Sequence, residues 1–388
     1  MEKSRQIYIY DTTLRDGTQA EKISFSKADK IRIVQKLDRL GIPYIEGGWP
    51  ASNPKDMDFF REIRHYSLSH AKISAFGSTR RSGQTAENDK NLLALLEAET
   101  PVTTIFGKSW MLHISEVLKV SPDENLAMIH ESCRFLANHG KEVIFDAEHF
   151  FDGYKEHPDY ALDVLKTAAE AGASTITLCD TNGGCLPDEI HAICKTVRQI
   201  LPVNTGIGIH CHNDSELAVA NSITAVQAGI CQVQGTINGF GERCGNANLC
   251  SIIANLELKT DFVCLPHGHL SFLKDTGLFV EGLANIRHNH RLPFIGTSAF
   301  AHKGGMHVNA VVKNPKTFEH ISPESVGNQR RILISDLSGK SNLNVKIREL
   351  GIDPDDERLD MDAFLNEIKN RENMGYEYEA ADASFAVL

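Results

Sequence analysis

The sequence predicts a (β/α)₈ barrel carrying a C-terminal, mainly helical appendage, and three observations support that expectation. Eight short β-branched runs alternate with amphipathic helical segments, the order of parallel strands joined by helical crossovers. The repeats occupy roughly 250 residues, the usual extent of such a barrel. The reactive side chains gather just after the runs, at the C-terminal strand ends where barrel enzymes place their chemistry.

Taken in order, the strand candidates are QIYIYD ending at Asp11, PYIEGG ending near Gly48, KISAFG to Gly77, VTTIFG to Gly107, EVIFDAE to Glu148, TITLCD to Asp180, GIGIHCH to His212 and QVQGTIN to Asn238. The first helix is expected to open at Ser26 as N-cap, with Asp29 three residues on, to bury Ala28, Ile31, Val34 and Leu37, and to stop at Gly41. Another opens SPDE, with Ser121 as cap, Pro122 at the first helical position and Glu124 completing a capping box before Leu126, Ile129, Cys133 and Leu136. An open doubly wound sheet would show fewer strands per residue and a glycine-rich nucleotide turn after the first strand, and neither is found. The alternation stops after Thr260. Residues 1–260 therefore read as the catalytic barrel and 261–388 as a linker and helical subdomain.

The chain has 388 residues, more than one hydrophobic core usually holds, which fits a large domain plus an appendage. A composition 41% hydrophobic and 23% charged excludes disordered and fibrous classes. The net charge of -11, with both signs interspersed, argues against a nucleic-acid partner, because no basic stripe is available to neutralise phosphates. The N-terminus MEKSRQIYIYDTTLRDG passes from a polar lead into a strand, and no apolar run approaches bilayer length, so a cytoplasmic protein with no membrane association is expected. Nine cysteines without CxxC spacing read as reduced thiols.

Within the strand-end clusters, His210 and His212 fall two apart on one strand, point to the same side and can grip one metal ion from the barrel interior. The competing reading is two ordinary polar residues satisfied by hydrogen bonds. Asp16 supplies a carboxylate to complete such a shell, although next to Arg15 a plain surface ion pair is also available. The Arg15 guanidinium can fork onto the carbonyl or carboxylate oxygens of an oxo acid that also chelates the metal. Glu148 is either a solvated loop carboxylate or an acid/base group, and its strand-end place favours the second. Gln19, in the cluster after the first strand, and Thr181, in that after the sixth, are substrate-binding candidates, and Asn246, in GFGERCGNAN, can add an oxygen to the metal. His302 and His307 belong to the HKGGMH run of the appendage, and His288 with His290 reads as a solvated surface pair.

The runs DTTLRDGTQ, IEGGWP, DTNGG, HCHND, NGFGERCGNANL, SAFAHKGGMH and VGNQRRILISDLSGKSN resemble, over nearly the whole chain, the metal-dependent enzymes that condense acetyl-CoA with 2-oxo acids: the 2-isopropylmalate, homocitrate and citramalate synthases. EGGWPASNPKD and FDAEHFFDGYK look most like the citramalate branch, where pyruvate is the oxo acid and the product feeds isoleucine biosynthesis. The resemblance implies Asp16, His210 and His212 as ligands of a divalent metal (Zn, Mn, Co or Mg), with Asn246 closing or supporting the shell. It implies Arg15 and Thr181 as holders of the oxo acid, Glu148 as the acid/base residue, and His307 as a catalytic residue reaching the partner's barrel in a swapped homodimer. Two departures bear on substrate preference: Asp146 stands where some relatives carry an apolar or aromatic residue, and Asn309 follows His307 where Asp is frequent. The chain ends at ADASFAVL, about where relatives begin a regulatory domain, so that domain and amino-acid feedback are not expected.

Other readings are 2-isopropylmalate or homocitrate synthesis by the same chemistry, a lyase resembling 3-hydroxy-3-methylglutaryl-CoA lyase, and a barrel that binds metabolites without catalysis. The lyase family prefers a reactive cysteine near the last strand; Cys244 is nearby, but GERCGNAN and the long appendage follow the synthase pattern. A non-catalytic barrel leaves Arg15, Glu148 and the metal triad without a joint explanation.

Overall fold

Ser26 begins the first barrel helix as expected: its hydroxyl accepts from the Asp29 amide, the Asp29 carboxylate accepts from the Ser26 amide, and Gly41 ends the helix at φ 97°. The computed structural model describes residues 5–354, 359–379 and 381–388. A short strand β1 (Arg5–Gln6) precedes the eight parallel strands β2 (Tyr8–Asp11), β3 (Tyr44–Gly48), β4 (Lys72–Ser78), β5 (Val102–Lys108), β6 (Glu142–Glu148), β7 (Thr175–Asp180), β8 (Gly206–Cys211) and β9 (Gln232–Gly235). These close into a barrel, because β2 pairs with β3 on one side and with β9 on the other. Outside it run α1 (Lys27–Leu40), α2 (Pro54–Ile63), α3 (Lys90–Glu97), α4 (Pro122–Asn138), α5 (Phe150–Glu156), α6 (Pro158–Glu170), α7 (Pro187–Ile200), α8 (Ala218–Gln227) and α9 (Leu249–Lys259).

The strands are β-branched and buried on both faces, as parallel strands under a helical ring must be: Ile73, Val102, Val143, Ile144, Ile176, Ile207, Ile209 and Val233 are all buried. Tyr10, Val102 and Ile144 form an inner cluster with Tyr44 packed on it. Removing one such side chain costs about 2–5 kcal/mol, so the barrel fixes its strand ends firmly.

Two local details differ from expectation. Ser121 caps α4 by accepting from the Glu124 amide, but the Glu124 carboxylate pairs with Arg80 at 2.9 Å, so ion pairing takes the group that would have closed the capping box. The last barrel strand stops at Gly235, three residues before Asn238, because the chain turns sharply there with Asn238 at φ 62°.

The chain divides into two compact units. One extends to Leu270 and takes in Thr276–Arg287; the other comprises Ser271–Asp275 and His288–Leu388. A helix α10 (Leu273–Ala284) follows the barrel after the two-residue strand β10 (Phe262–Val263), which pairs with β1. The second unit contains a small parallel pair, β11 (Ala301–His302) with β12 (Arg331–Ile332), and the helices α11 (Gly305–Lys313), α12 (Lys340–Glu349), α13 (Met361–Asn373) and α14 (Asp382–Val387). Its core is built on Ile334, Leu343, Ile347, Ile368, Tyr378 and Phe385. No helix among the described residues is long and apolar enough to cross a membrane.

Candidate active site

The turn after β2 is folded by its own polar groups. The amides of Arg15 and Gly17 both donate to the Thr12 carbonyl, and the Asp16 amide donates to the Thr12 hydroxyl at 3.3 Å. Glu46, fully buried in β3, accepts from Tyr10 Oη (2.6 Å), Thr12 Oγ1 (2.5 Å) and Arg15 Nε (2.5 Å). The Arg15 guanidinium lies over the Phe76 ring, 3.6 Å from its centre, and Nη1 stands 3.2 Å from Asp16 Oδ2. Burial opposes the Arg15 charge, but Glu46 and Asp16 outweigh it and hold the guanidinium charged.

His210, on β8, and His212, just beyond its end, point to the same side. Nε2 of each faces Asp16 Oδ2, at 3.4 and 4.0 Å. Asp16, His210 and His212 are buried, and each offers a ligand atom within 4.8 Å of the others, a set that could hold one metal ion. Burial would raise the Asp16 pKa, but Arg15 and the two histidines pull it well below the usual carboxylate range. Burial disfavours charge on both imidazoles. At His210 the Asp16 carboxylate wins and raises the pKa, whereas His212, also repelled by His210, falls to about 4.

Asn246 pairs with His212 in an isolated antiparallel bridge. Its Nδ2 donates to the Phe240 carbonyl at 3.2 Å, and its buried Oδ1 has no protein partner. Asp16 Oδ1 and His212 Nδ1 are buried and unpartnered in the same region. Buried polar atoms left without partners cost about 1–3 kcal/mol each, so the unpartnered oxygens of Asp16 and Asn246 suit a bound cation better than an empty core. The loop reaches this position through Gly245, at φ 91°, where a Cβ would stand 2.0 Å from the Gly239 carbonyl oxygen.

A cavity of about 220 Å³ opens above these residues. Arg15, Asp16, Gln19, Glu148, Thr181, His210 and His212 all line it, so seven of the residues singled out in the sequence meet in one place. Glu148 ends β6 and its carboxylate is ion-paired with Lys108. Thr181 Oγ1 accepts from the His149 amide at 2.9 Å. Trp49, Phe76 and Phe106 form an aromatic wall, the indole edge-on to both phenyl rings at 5.6 and 5.8 Å. Asp146 also lines the cavity; burial pushes its carboxyl up to about 6, Glu46 adds to the shift, and His210 and Arg15 oppose it.

Some residues of the site were not assigned a role from the sequence. Glu46 sat in a strand-end motif, yet its grip on Arg15 depends on two neighbouring strands. Phe76 and Phe106 line the cavity without a motif to mark them, and Arg243 lines it from within the GFGERCGNAN run, where no role was assigned to it. Arg243 donates from Nη2 to the Thr181 carbonyl and forms a two-pronged pair with Asp214 at 2.8 and 3.0 Å.

His307 lies in the second unit, on the first turn of α11, exposed and against Phe318 at 4.2 Å between ring centres. The preceding HKGG run is held by Asn342, whose Nδ2 donates to the carbonyls of Lys303 and Leu333, both at 3.0 Å. His302 Nε2 stands 3.1 Å from the buried Glu319, which Arg330 clamps through two bonds of 2.6 Å. His288 and His290 lie in a loop of this unit, edge to face at 4.9 Å.

A family model described as HMGL-like matches residues 6–277, and one described as homocitrate synthase post-HMGL domain-like matches residues 294–375. The chain is 54% identical to an (R)-citramalate synthase of Aquifex aeolicus over 99% of its own length and 73% of the relative's. It is 55% identical to another from Geobacter sulfurreducens, over 98% and 72%. Relatives bearing the names 2-isopropylmalate and homocitrate synthase stand at 33%. Among solved structures, an HMG-CoA lyase from Bacillus subtilis superposes with a TM-score of 0.62 at 22% identity, over 74% of this chain and 96% of the lyase, a likeness of fold.

Proposed function

Because this chain belongs to the HMGL-like family and, within it, to the branch of the (R)-citramalate synthases, we propose that it condenses acetyl-CoA with pyruvate and hydrolyses the resulting thioester to (R)-citramalate and CoA. The observation that carries this reading is the meeting in one cavity of Arg15, Glu148 and the Asp16, His210 and His212 set, which could hold a metal ion.

The chemistry requires a carbanion equivalent at the acetyl methyl group and an electrophilic ketone. Asp16, His210 and His212, with Asn246 beside them, would hold a divalent metal ion. When bound, such an ion supplies Lewis acidity to the ketone and its adjacent carboxylate. Arg15 binds the oxo-acid oxygens through its fork, oriented by Glu46, while Thr181 and Gln19 fix the substrate's other edge. Glu148 removes the methyl proton, directly or through a water, with His307 sharing the proton handling. The methyl carbon then bonds to the ketone carbon, the new alkoxide is protonated, and water cleaves the thioester with CoA leaving as the thiol. Trp49, Phe76 and Phe106 wall the cavity; placed against the methyl end of the oxo acid, they would favour pyruvate over bulkier oxo acids.

On this reading the barrel carries the chemistry and the appendage completes the partner's site in a homodimer, inside the cell and on the route to isoleucine. The test is thiol release from acetyl-CoA against a panel of 2-oxo acids, with the configuration of the product determined. Pyruvate should give the highest kcat/KM and yield (R)-citramalate; absence of thiol release with every oxo acid refutes the assignment.

A further inference from the structure

His210 has a second neighbour that the reaction scheme does not use. Its Nδ1 lies 2.9 Å from Gln234 Oε1, and both groups are buried. The other end of the same amide is also engaged: Gln234 Nε2 donates to Asp146 Oδ1 at 2.8 Å and to Thr177 Oγ1 at 3.0 Å. Asp146, Thr177, His210 and Gln234 sit on the consecutive strands β6, β7, β8 and β9, where register brings Asp146 level with Thr177 and His210 level with Gln234.

The order of donors and acceptors along this row is forced. An ionised Asp146 can only accept, so the Gln234 amide must turn its nitrogen towards it. With the amide reversed, two oxygens would face each other at hydrogen-bond distance in a buried setting, and the cost of such an unsatisfied contact is high. The oxygen of the amide is therefore left for His210, which must carry its proton on Nδ1. Its Nε2 is then the ring atom directed at Asp16, 3.4 Å from a carboxylate oxygen, where either a proton, which Asp16 favours, or a metal ion takes its lone pair.

We propose that Gln234, locked by Asp146 and Thr177, is a positioning residue that sets the His210 tautomer and orients its Nε2 for a divalent metal ion. The inference rests on the reading of Asp16, His210 and His212 as metal ligands. It gives Asp146 a part in metal binding through another residue.

The test uses the full chain and Co²⁺ as the probe. Binding is measured by calorimetry and by the visible absorption of the bound ion. The His210 tautomer is read from imidazole ¹⁵N shifts of metal-free protein followed upward from about pH 8 until the ring is neutral, because Asp16 raises the His210 pKa above the ordinary imidazole value. Gln234→Leu should weaken Co²⁺ binding by about 10–100-fold and turn the Nδ1–H signal into a tautomer mixture. Gln234→Glu alone sets two acceptors against each other and should also bind more weakly. Combined with Asp146→Asn it reverses only the bond between positions 146 and 234, keeps an acceptor for His210 Nδ1–H at unchanged net charge, and should recover most of the affinity and the Nδ1–H signal.

A merely structural role for Gln234 would not be repaired by that exchange. Wild-type affinity and tautomer in Gln234→Leu, or a double variant no better than Gln234→Glu, would overturn the proposal. If wild type and His210→Ala bind Co²⁺ alike, the metal reading falls instead, and the tautomer measurement still decides the relay.

Discussion

Glu46 Oε1 lies 2.5 Å from Arg15 Nε, so the carboxylate holds the guanidinium from behind and leaves its Nη groups towards Asp16 and the cavity. Glu46→Gln keeps the shape but removes the charge that fixes the fork. The expected result is a rise of about 10-fold in KM for pyruvate, with KM for acetyl-CoA little changed, since charge-assisted bonds exceed neutral ones by about 1 kcal/mol or more. Steady-state kinetics with each substrate varied checks it; equal rises in both constants would mean general damage to the site.

Loss of Asp16 or of His210 removes a proposed metal ligand but little apolar core. Asp16→Ala and His210→Ala should lose bound metal and turnover together, by more than the about 100-fold that loss of a supporting group causes, while far-ultraviolet circular dichroism stays that of a folded barrel. Metal content by plasma emission alongside activity is the measurement. Turnover surviving in metal-depleted His210→Ala protein would end the ligand assignment.

On the proposed reading, in which the wall of Trp49, Phe76 and Phe106 faces the oxo acid's side chain, pyruvate should be preferred over 2-oxoisovalerate. Trp49→Ala should narrow the ratio of the two kcat/KM values by about 10-fold or more, the size expected when a methyl or two gains room. A ratio unmoved by that change would place the discrimination elsewhere in the cavity.

Buried Asp11 should make stability depend on pH. Burial raises its carboxyl from 3.8 to about 7, against the pull of its hydrogen bonds from Thr13. Below 3.8 both states hold the proton; between 3.8 and about 7 only the native state does, so the contribution is fully present at low pH and lost as pH rises through about 7. Melting curves from about pH 5 to about pH 8 should show a drop in wild type that is reduced in Asp11→Asn. Parallel curves for the two proteins would contradict it.

His307 belongs to the appendage, and the proposed dimer puts it to work with a Glu148 on another chain. Inactive His307→Ala and inactive Glu148→Ala proteins, mixed under conditions where subunits exchange, should regain part of the activity, because one hybrid site then holds both groups. Exchange demonstrated by mass, with no activity recovered, rules out the shared site.

The architecture was legible because its signals are local. Alternating β-branched runs, the Ser26–Asp29 box and Gly41 each act within a few residues, and strand-end histidines spaced by two must share a side. The cavity's motif residues were legible for the same reason. What stayed hidden depends on register between strands: Glu46 meeting Arg15, and Gln234 joining Asp146 to His210, are pairings across the barrel that no spacing along the chain encodes. Glu124 shows the opposite failure, a strong local pattern whose carboxylate was claimed by Arg80 from another loop.

Trp49 is set in place by residues with no contact to the cavity. Its amide donates to Asp56 Oδ2 at 2.9 Å and its indole NH to Asn91 Oδ1 at 2.7 Å, while Lys30, itself buried, binds Asp56 at 2.6 Å and the Gly47 carbonyl at 2.8 Å. A side chain at Gly48, φ 146°, would collide with the Asp56 carboxylate at 2.5 Å. Selection in the laboratory for larger oxo acids would therefore accumulate changes at Asn91, Asp56 and Lys30, on the helices behind the wall. Libraries confined to the cavity lining would miss the cheapest routes to a wider substrate range.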